Sequence, residues 1–321
     1  MLKEALIPTY ADVEAAAARI APHVHRTPVV TSASLDRAAG ASLFFKCENL
    51  QVVGAFKMRG ASNAVWSLGD DEARRGVLTH SSGNHGAALA RAATQRGIRS
   101  WVVMPENAPA SKRRAVEDFG ASVVACAPTL QAREATAARL LAETGAVLVH
   151  PYDDAQVIAG QGTAARELLQ EVPDLDLVVA PIGGGGLLSG TAIAAAALAP
   201  RAAVWGAEPS GADDAQRSLA AGRIVPVDSP RTVADGLRAT IGPLPLAVLT
   251  AHAVRIATVD DAAILAAMRF FWERTKLVIE PSAAVAVAAL LERAIPAEGK
   301  RVGIIVSGGN LDLPQSLFQA G

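Results

Sequence analysis

A lysine between apolar neighbours, a run of hydroxyl, amide and imidazole groups, and two glycine-rich turns are the parts of this sequence whose residue types could do chemistry. Lys57 stands in GAFKMRG (residues 54–60), between Phe56 and Met58. In an apolar setting a lysine loses the water that favours its ammonium form, and the free amine can attack a carbonyl carbon. HSSGNHG (residues 80–86) places Ser81, Ser82, Gly83, Asn84 and His85 ahead of a helical stretch. Backbone N–H groups and hydroxyls at a helix start can receive a carboxylate, which is what an amino acid presents. PIGGGGLLSG (residues 181–190) sets Gly183, Gly184, Gly185 and Gly186 between an apolar run and a helix opening at Leu187. Bare glycine backbone at a helix N-terminus cradles a phosphate without a basic side chain. VSGGN (residues 306–310) ends a further apolar run and carries Ser307.

Each segment has a plainer explanation when read alone. Lys57 is then a solvated surface lysine, the glycine run a flexible turn, Ser82 or Asn84 an ordinary helix cap, and His85 as readily structural as catalytic. In combination the reading changes, because an aldehyde cofactor with a phosphate tail requires both an amine and a phosphate cradle. A dinucleotide site is the rival, since Glu208 ends the next strand about where a ribose-binding acid belongs. Its glycine register fails: GxGxxG started at Gly183 puts Leu188 in the last glycine position, and started at Gly184 puts Ser189 there.

These four segments follow or interrupt apolar runs, so they fall at strand ends, where open α/β sheets bind ligands. From residue 77 to 145 the chain repeats one plan: a β-prone run (77–80, 100–104, 122–126), a polar loop, and a helical stretch ending near Gly97, Gly120 or Gly145. Strands alternating with helices, with no hairpin turns, imply parallel pairing. A second set of strands is expected over 177–180, 203–207 and 302–306, with helices over 187–198, 260–272 and 281–293, Pro281 suiting a first helical turn. The expected fold is α/β, with two three-layer α/β/α lobes, mostly parallel sheets and the active site between them. The lobes are read as residues 1–64 plus 156–321, the larger, and residues 65–155, the smaller and mobile.

Composition narrows the function classes. A length of 321 residues suits two lobes, since single cores stop growing near that size. Apolar residues make up 51%, but charges interrupt them, and no run approaches the ~20 residues of a membrane span. Residues 1–10 include Lys3 and Glu4 and no apolar core, which argues against a secretory signal. Cys47 and Cys126 lack CxxC spacing and read as buried thiols of a reducing compartment, so the cytoplasm is the expected location. A net charge of −1 without a basic stripe argues against nucleic acid.

Together the segments resemble the serine racemase and threonine dehydratase family of fold-type-II pyridoxal-phosphate enzymes, which includes 3-hydroxyaspartate dehydratases. The likeness runs in order from Tyr10 to Leu313 through FKCENL, GAFKMRGASNAV, THSSGNHG, HPYDD, VIAGQGT, GGGGLLSG, AEPSGADDAQ, TVADGL, IEPSAAV and SGGNLDL. The resemblance implies a lyase that removes water and then ammonia from a β-hydroxy amino acid such as serine or threonine, leaving a 2-oxo acid. It makes Lys57 the Schiff-base lysine and the base on one face of the cofactor. Phe56 backs the ring, Asn84 bonds its 3-hydroxyl, Gly183 to Gly186 and Leu187 hold the phosphate, and Ser307 faces the pyridine nitrogen. A neutral serine there makes the ring a weaker electron sink than an aspartate would, which favours elimination. Ser81, Ser82, Gly83 and His85 are expected around the substrate, with Ser82 as the acid/base group of the opposite face; that pairing with Lys57 permits serine racemase activity. Glu208, Asp214 and the carbonyl of Ala212 match a divalent-cation site, with hard oxygen donors suited to Mg²⁺, Ca²⁺ or Mn²⁺. The family also suggests a homodimer.

Arg133 corresponds to an arginine that approaches dicarboxylate ligands in serine racemases, and guanidinium pairs bidentately with carboxylate. A 3-hydroxyaspartate is therefore a rival substrate. A cofactor carrier without turnover and a β-replacement enzyme are the other readings. Three departures are visible: Ala55 stands where many relatives carry serine, Val52 and Val53 replace polar residues, and no regulatory domain is expected after Gly321. Nucleotide activation and isoleucine regulation are thereby disfavoured.

Overall fold

The computed structural model describes residues 7–81 and 83–312, so Ser82 lies outside the described residues. Its strands are β1 (Val29–Val30), β2 (Ser42–Cys47), β3 (Val77–Thr79), β4 (Ser100–Pro105), β5 (Ser122–Cys126), β6 (Val147–Leu148), β7 (Leu177–Pro181), β8 (Ala203–Pro209), β9 (Arg255–Val259) and β10 (Arg301–Val306). One six-stranded sheet runs β1-β2-β10-β7-β8-β9, with β1 antiparallel at its edge and every other pair parallel. A four-stranded sheet, β5-β4-β3-β6, is wholly parallel and comes from residues 77–148.

Both sheets are covered on both faces, which explains their near-continuous Val, Ile and Leu runs. In β7, Leu177 and Val179 enter one apolar cluster and Val178 and Ala180 another; in β10, Val302, Ile304 and Val306 oppose Ile305 in the same way. Helices Ala33–Ala39, Asp261–Thr275 and Pro281–Leu291 close the first face, and Ala155–Glu171, Gly186–Leu198, Asp214–Ala221 and Pro243–Ala251 close the second. In the smaller sheet Leu78 and Val103 pack towards helix Leu130–Thr144, while Val102 and Met104 pack towards Asn84–Arg96 and Ala110–Asp118. The α/β class with mostly parallel sheets is thus the architecture of the chain. Four strands escape the sequence pattern for identifiable reasons. β1 and β6 have two residues each, β2 carries the fully buried Lys46, and β9 opens on an arginine.

Three helices meet at backbone contact. A Cβ added to Gly160 of helix Ala155–Glu171 would lie 2.7 Å from the Cα of Gly60 in helix Lys57–Ser67, and one added to Gly190 of helix Gly186–Leu198 would lie 2.4 Å from the nitrogen of Gly162. Among the described residues, no helix is long and apolar enough to cross a membrane.

Candidate active site

Lys57 opens helix Lys57–Ser67 after a turn in which Val53 and Gly54 both take left-handed backbone angles (φ 62° and 69°). That conformation is strained for a β-branched residue, and Asn310 Nδ2 holds it by donating to the Val53 carbonyl at 2.7 Å. Lys57 Nζ donates to the Pro151 carbonyl at 2.8 Å and lies 5.1 Å from the centroid of the Phe56 ring. Burial pushes its amine down to about 8, a shift partly opposed by the Glu280 carboxylate. The Phe56 N–H donates to the Ser307 carbonyl at 2.9 Å, and Ala55 bridges Gly308, so this segment is joined to the end of β10. Tyr152, next to Pro151, lies against the glycine turn: a Cβ on Gly184 would fall 2.3 Å from its ring, and one on Gly186 3.1 Å from its Cβ. The Lys57 amine and the glycine turn therefore flank the same two residues. Gly185 (φ 96°) caps helix Gly186–Leu198, whose first-turn N–H groups, including that of Leu187, have no intrahelical acceptors.

Beneath Lys57, Arg59 is fully buried between Glu48 and Glu167. Its guanidinium donates to Glu48 at 2.7 and 2.8 Å, to Glu167 at 2.8 and 2.9 Å, and to Thr163 Oγ1 at 3.2 Å. Lys46 Nζ completes the cluster, 2.7 Å from Glu167. Two cations and two carboxylates thus pin the Lys57 helix to β2 and to helix Ala155–Glu171.

The loop after β3 carries Ser81 and Gly83 and delivers Asn84 to the start of helix Asn84–Arg96, with Gly83 as a cap that offers no side chain. The N–H groups of residues 84–86 in that first turn are open to a carboxylate. The His85 ring turns inward instead, with Nε2 3.3 Å from the Val149 carbonyl, and burial, reinforced by the Lys57 charge, holds it neutral. Its imidazole is thereby turned away from the loop. Asn84 Nδ2 lies 3.0 and 3.2 Å from the two oxygens of Glu280, and its Oδ1 accepts from Asn310 at 3.0 Å. A cavity of about 410 Å³ reaches Asn84 and Asn310 past Ser111 and Lys112.

Next to Lys57 a row of edge-to-face rings runs from His80 through His150 to Tyr152, with centroid separations of 5.3 and 4.6 Å. His150 Nδ1 accepts from the Asp153 N–H at 2.9 Å, and burial, with His80 and Lys57 nearby, pushes it down to about 4. Arg133 is half-buried on helix Leu130–Thr144 and makes no ion pair among the described residues. Its charge acts on both His80 and Tyr152, opposing the charged imidazolium and favouring the phenolate.

Glu208 ends β8, Ala212 closes a single turn of 3-10 helix, and Asp214 starts helix Asp214–Ala221. Glu208 accepts from the Ala215 and Gln216 N–H groups at 2.9 and 3.0 Å, and Asp214 from the Ile241 N–H at 2.7 Å. Burial pushes Glu208 up to about 8 and Asp214 up to about 6, and Asp214 itself raises Glu208 further. Neither pairs with a lysine or arginine among the described residues, whose searched parts hold no cluster of three or more His, Cys, Asp or Glu ligands.

The family model described as pyridoxal-phosphate dependent enzyme matches residues 20–308. The chain belongs to this family. A beta-hydroxyaspartate dehydratase of Paracoccus denitrificans is 52% identical over 307 residues, spanning 96% of this chain and 98% of that protein. An L-threo-3-hydroxyaspartate ammonia-lyase of Saccharomyces cerevisiae is 44% identical over 309 residues, spanning 96% and 95%. The structure of maize serine racemase matches with a TM-score of 0.94 at 47% identity, over 97% of this chain and 96% of that one. The residues present fit a pyridoxal-phosphate-dependent enzyme: a buried amine of lowered basicity adjoins a glycine turn too crowded for any side chain at Gly184. Sequence reasoning did not single out Glu280, His150 or Tyr152. Glu280 reads as a helix cap ahead of Pro281, and the imidazole and phenol of HPYDD were available as a signal but have no chemistry assignable without their neighbours.

Proposed function

We propose that this enzyme removes water and then ammonia from a β-hydroxy amino acid, and that its substrate is a 3-hydroxyaspartate. The observation that carries the substrate assignment is Arg133, without an ion-pair partner among the described residues and acting on His80 and Tyr152 beside Lys57. A guanidinium at that place suits a second carboxylate on the substrate. The two hydroxyaspartate-consuming relatives support the same choice.

When bound, pyridoxal phosphate supplies an aldehyde that condenses with amines and a ring that withdraws electrons from the substrate Cα. Gly183, Gly184, Gly185, Gly186 and Leu187 would hold its phosphate, Phe56 its ring face, Ser307 its ring nitrogen and Asn84 its ring oxygen. Ser81, Gly83 and the N–H groups of Asn84 and His85 bind the substrate α-carboxylate, and Arg133 binds the side-chain carboxylate. Lys57 Nζ takes the Cα proton; the Cβ–O bond then breaks, and the hydroxyl leaves as water after gaining a proton. The resulting enamine hydrolyses to a 2-oxo acid and ammonia. Racemisation is the second reading, supported by the likeness to serine racemases, with Ser82 as the opposite-face partner of Lys57. We assign the lobes as residues 1–64 plus 156–321 and residues 65–155.

The test compares 3-hydroxyaspartate, threonine and serine as substrates of wild type and Arg133→Ala, scoring 2-oxo acid and product chirality. Loss of one charge-assisted contact predicts a fall of about tenfold or more in kcat/KM for hydroxyaspartate alone. An equal effect on all three substrates removes the dicarboxylate assignment. We further propose a divalent cation on Glu208, Asp214 and the Ala212 carbonyl, supported by two buried carboxylates that burial pushes up and that make no ion pair among the described residues. Millimolar Mg²⁺ should raise the Tm of the wild type and not that of Glu208→Gln; equal responses remove this site.

A further inference from the structure

Glu280 stands at the N-cap of helix Pro281–Leu291, yet its side chain makes no capping hydrogen bond. The residue is only 5% exposed, and its carboxylate points instead at Asn84 and accepts the Asn310 N–H at 3.1 Å. A buried carboxylate that leaves its own helix uncapped must have a stronger use for its oxygens.

The hydrogen-bond directions in this group are fixed from both ends. The Val53 carbonyl can only accept, so the Asn310 amide must present its NH₂ end, at 2.7 Å. The same nitrogen lies 3.0 Å from Asn84, which must therefore present its oxygen. At the other end Glu280 can only accept while it is ionised, and in that form Asn84 must present its NH₂ there, at 3.0 and 3.2 Å. Two independent anchors force one amide orientation, which partners rather than shape decide for an asparagine. One N–H of Asn84 is spent on Glu280, and the other remains available as a donor.

We infer that Glu280, with Asn310 as the opposing anchor, is a positioning residue that holds Asn84 as a hydrogen-bond donor towards the ring oxygen of pyridoxal phosphate. The inference rests on the proposed reading that Asn84 faces that oxygen. With the amide turned over, a carbonyl would face an electron-rich oxygen and repel it. Asn84 comes from the helix after β3, whereas Glu280 and Asn310 flank β10 in sequence and space, so the orientation is imposed across the two sheets.

The test uses apoprotein of wild type, Glu280→Gln, Asn84→Ala, their double variant and Asn310→Ala. The readouts are the dissociation constant for pyridoxal phosphate and the visible absorbance of the reconstituted protein. Glutamine can donate as well as accept, so Glu280→Gln should weaken cofactor binding about tenfold and shift the absorbance band. In the Asn84→Ala background the same change should fall to within about twofold, because the two residues act through one contact. Asn310→Ala removes the other anchor and should weaken binding in the same direction; it carries the test if circular dichroism shows Glu280→Gln unfolded. Full additivity of Glu280→Gln and Asn84→Ala would overturn the inference, placing the effect on Lys57 or on the helix. If Asn84→Ala alone changes neither affinity nor absorbance, the underlying reading of Asn84 falls first.

Discussion

Lys57 and Arg59 share the first turn of one helix, both basic, the first half-buried and the second fully buried, and they end in opposite states. Arg59 has two carboxylates and a hydroxyl around its planar fork, and the carboxylates raise its basicity despite burial. Lys57 has one carbonyl within reach and one carboxylate acting through space, and burial wins. The carboxylates follow suit: Glu167 is held below its ordinary range by Arg59 and Lys46, while Glu280 is pushed up to about 7 by burial. A buried charge completely surrounded by opposite charge serves as a fastener. One left short of partners stays close to changing its protonation, which is what proton transfer requires.

The contrast can be broken at either residue. Lys57→Ala should lower 2-oxo acid formation by about 10³-fold or more if one amine serves as cofactor attachment and base, as proposed, and the visible absorbance of bound pyridoxal phosphate should disappear. Retention of that band would mean another lysine does the work. Arg59→Met strands Glu48 without its cation, leaves Glu167 with Lys46 alone, and should cost about 3–5 kcal/mol in denaturant unfolding of the apoprotein. A loss below about 1 kcal/mol would show the cluster to be solvated and the contrast unfounded.

A milder probe is pH. With the Lys57 amine near 8, the rate at which apoprotein takes up pyridoxal phosphate should rise with pH through about 8, because only the neutral amine attacks an aldehyde. The sign for stability agrees. An unfolded lysine keeps its proton to about 10.4, so above pH 8 the unfolded chain binds more protons and this group makes the apoprotein more stable as pH rises; the gain is lost as pH falls through 8. A midpoint near 10 would place Lys57 in water.

The lysine, the glycine turn and the HSSGNHG loop are legible as candidates because each concentrates unusual residue types in a few consecutive positions. The parallel sheets are legible because strands buried on both faces leave continuous apolar runs, as in β7 and β10. What escapes is built from distant partners. Glu280 looks like a helix cap until Asn84 and Asn310 are seen around it, and Arg59 looks like a surface residue until Glu48 and Glu167 close on it. His85 is misleading in the other direction, since its ring turns to Val149 and leaves the loop to its backbone.

The glycine contacts of helix Ala155–Glu171 carry a consequence for how this enzyme can change. Its backbone touches the Lys57 helix at Gly60 and the helix after the glycine turn at Gly190, with no side chain in between on either side. On the proposed assignment of Lys57 and the glycine turn, the helix would work as a ruler between the point where an aldehyde attaches and the point where a phosphate rests. Side-chain packing could lengthen such a spacing by small increments, but here the smallest available step is a whole methyl group. If Arg133 and the glycine turn act as proposed, substrate preference can drift through the first while the span from Lys57 to the second stays fixed.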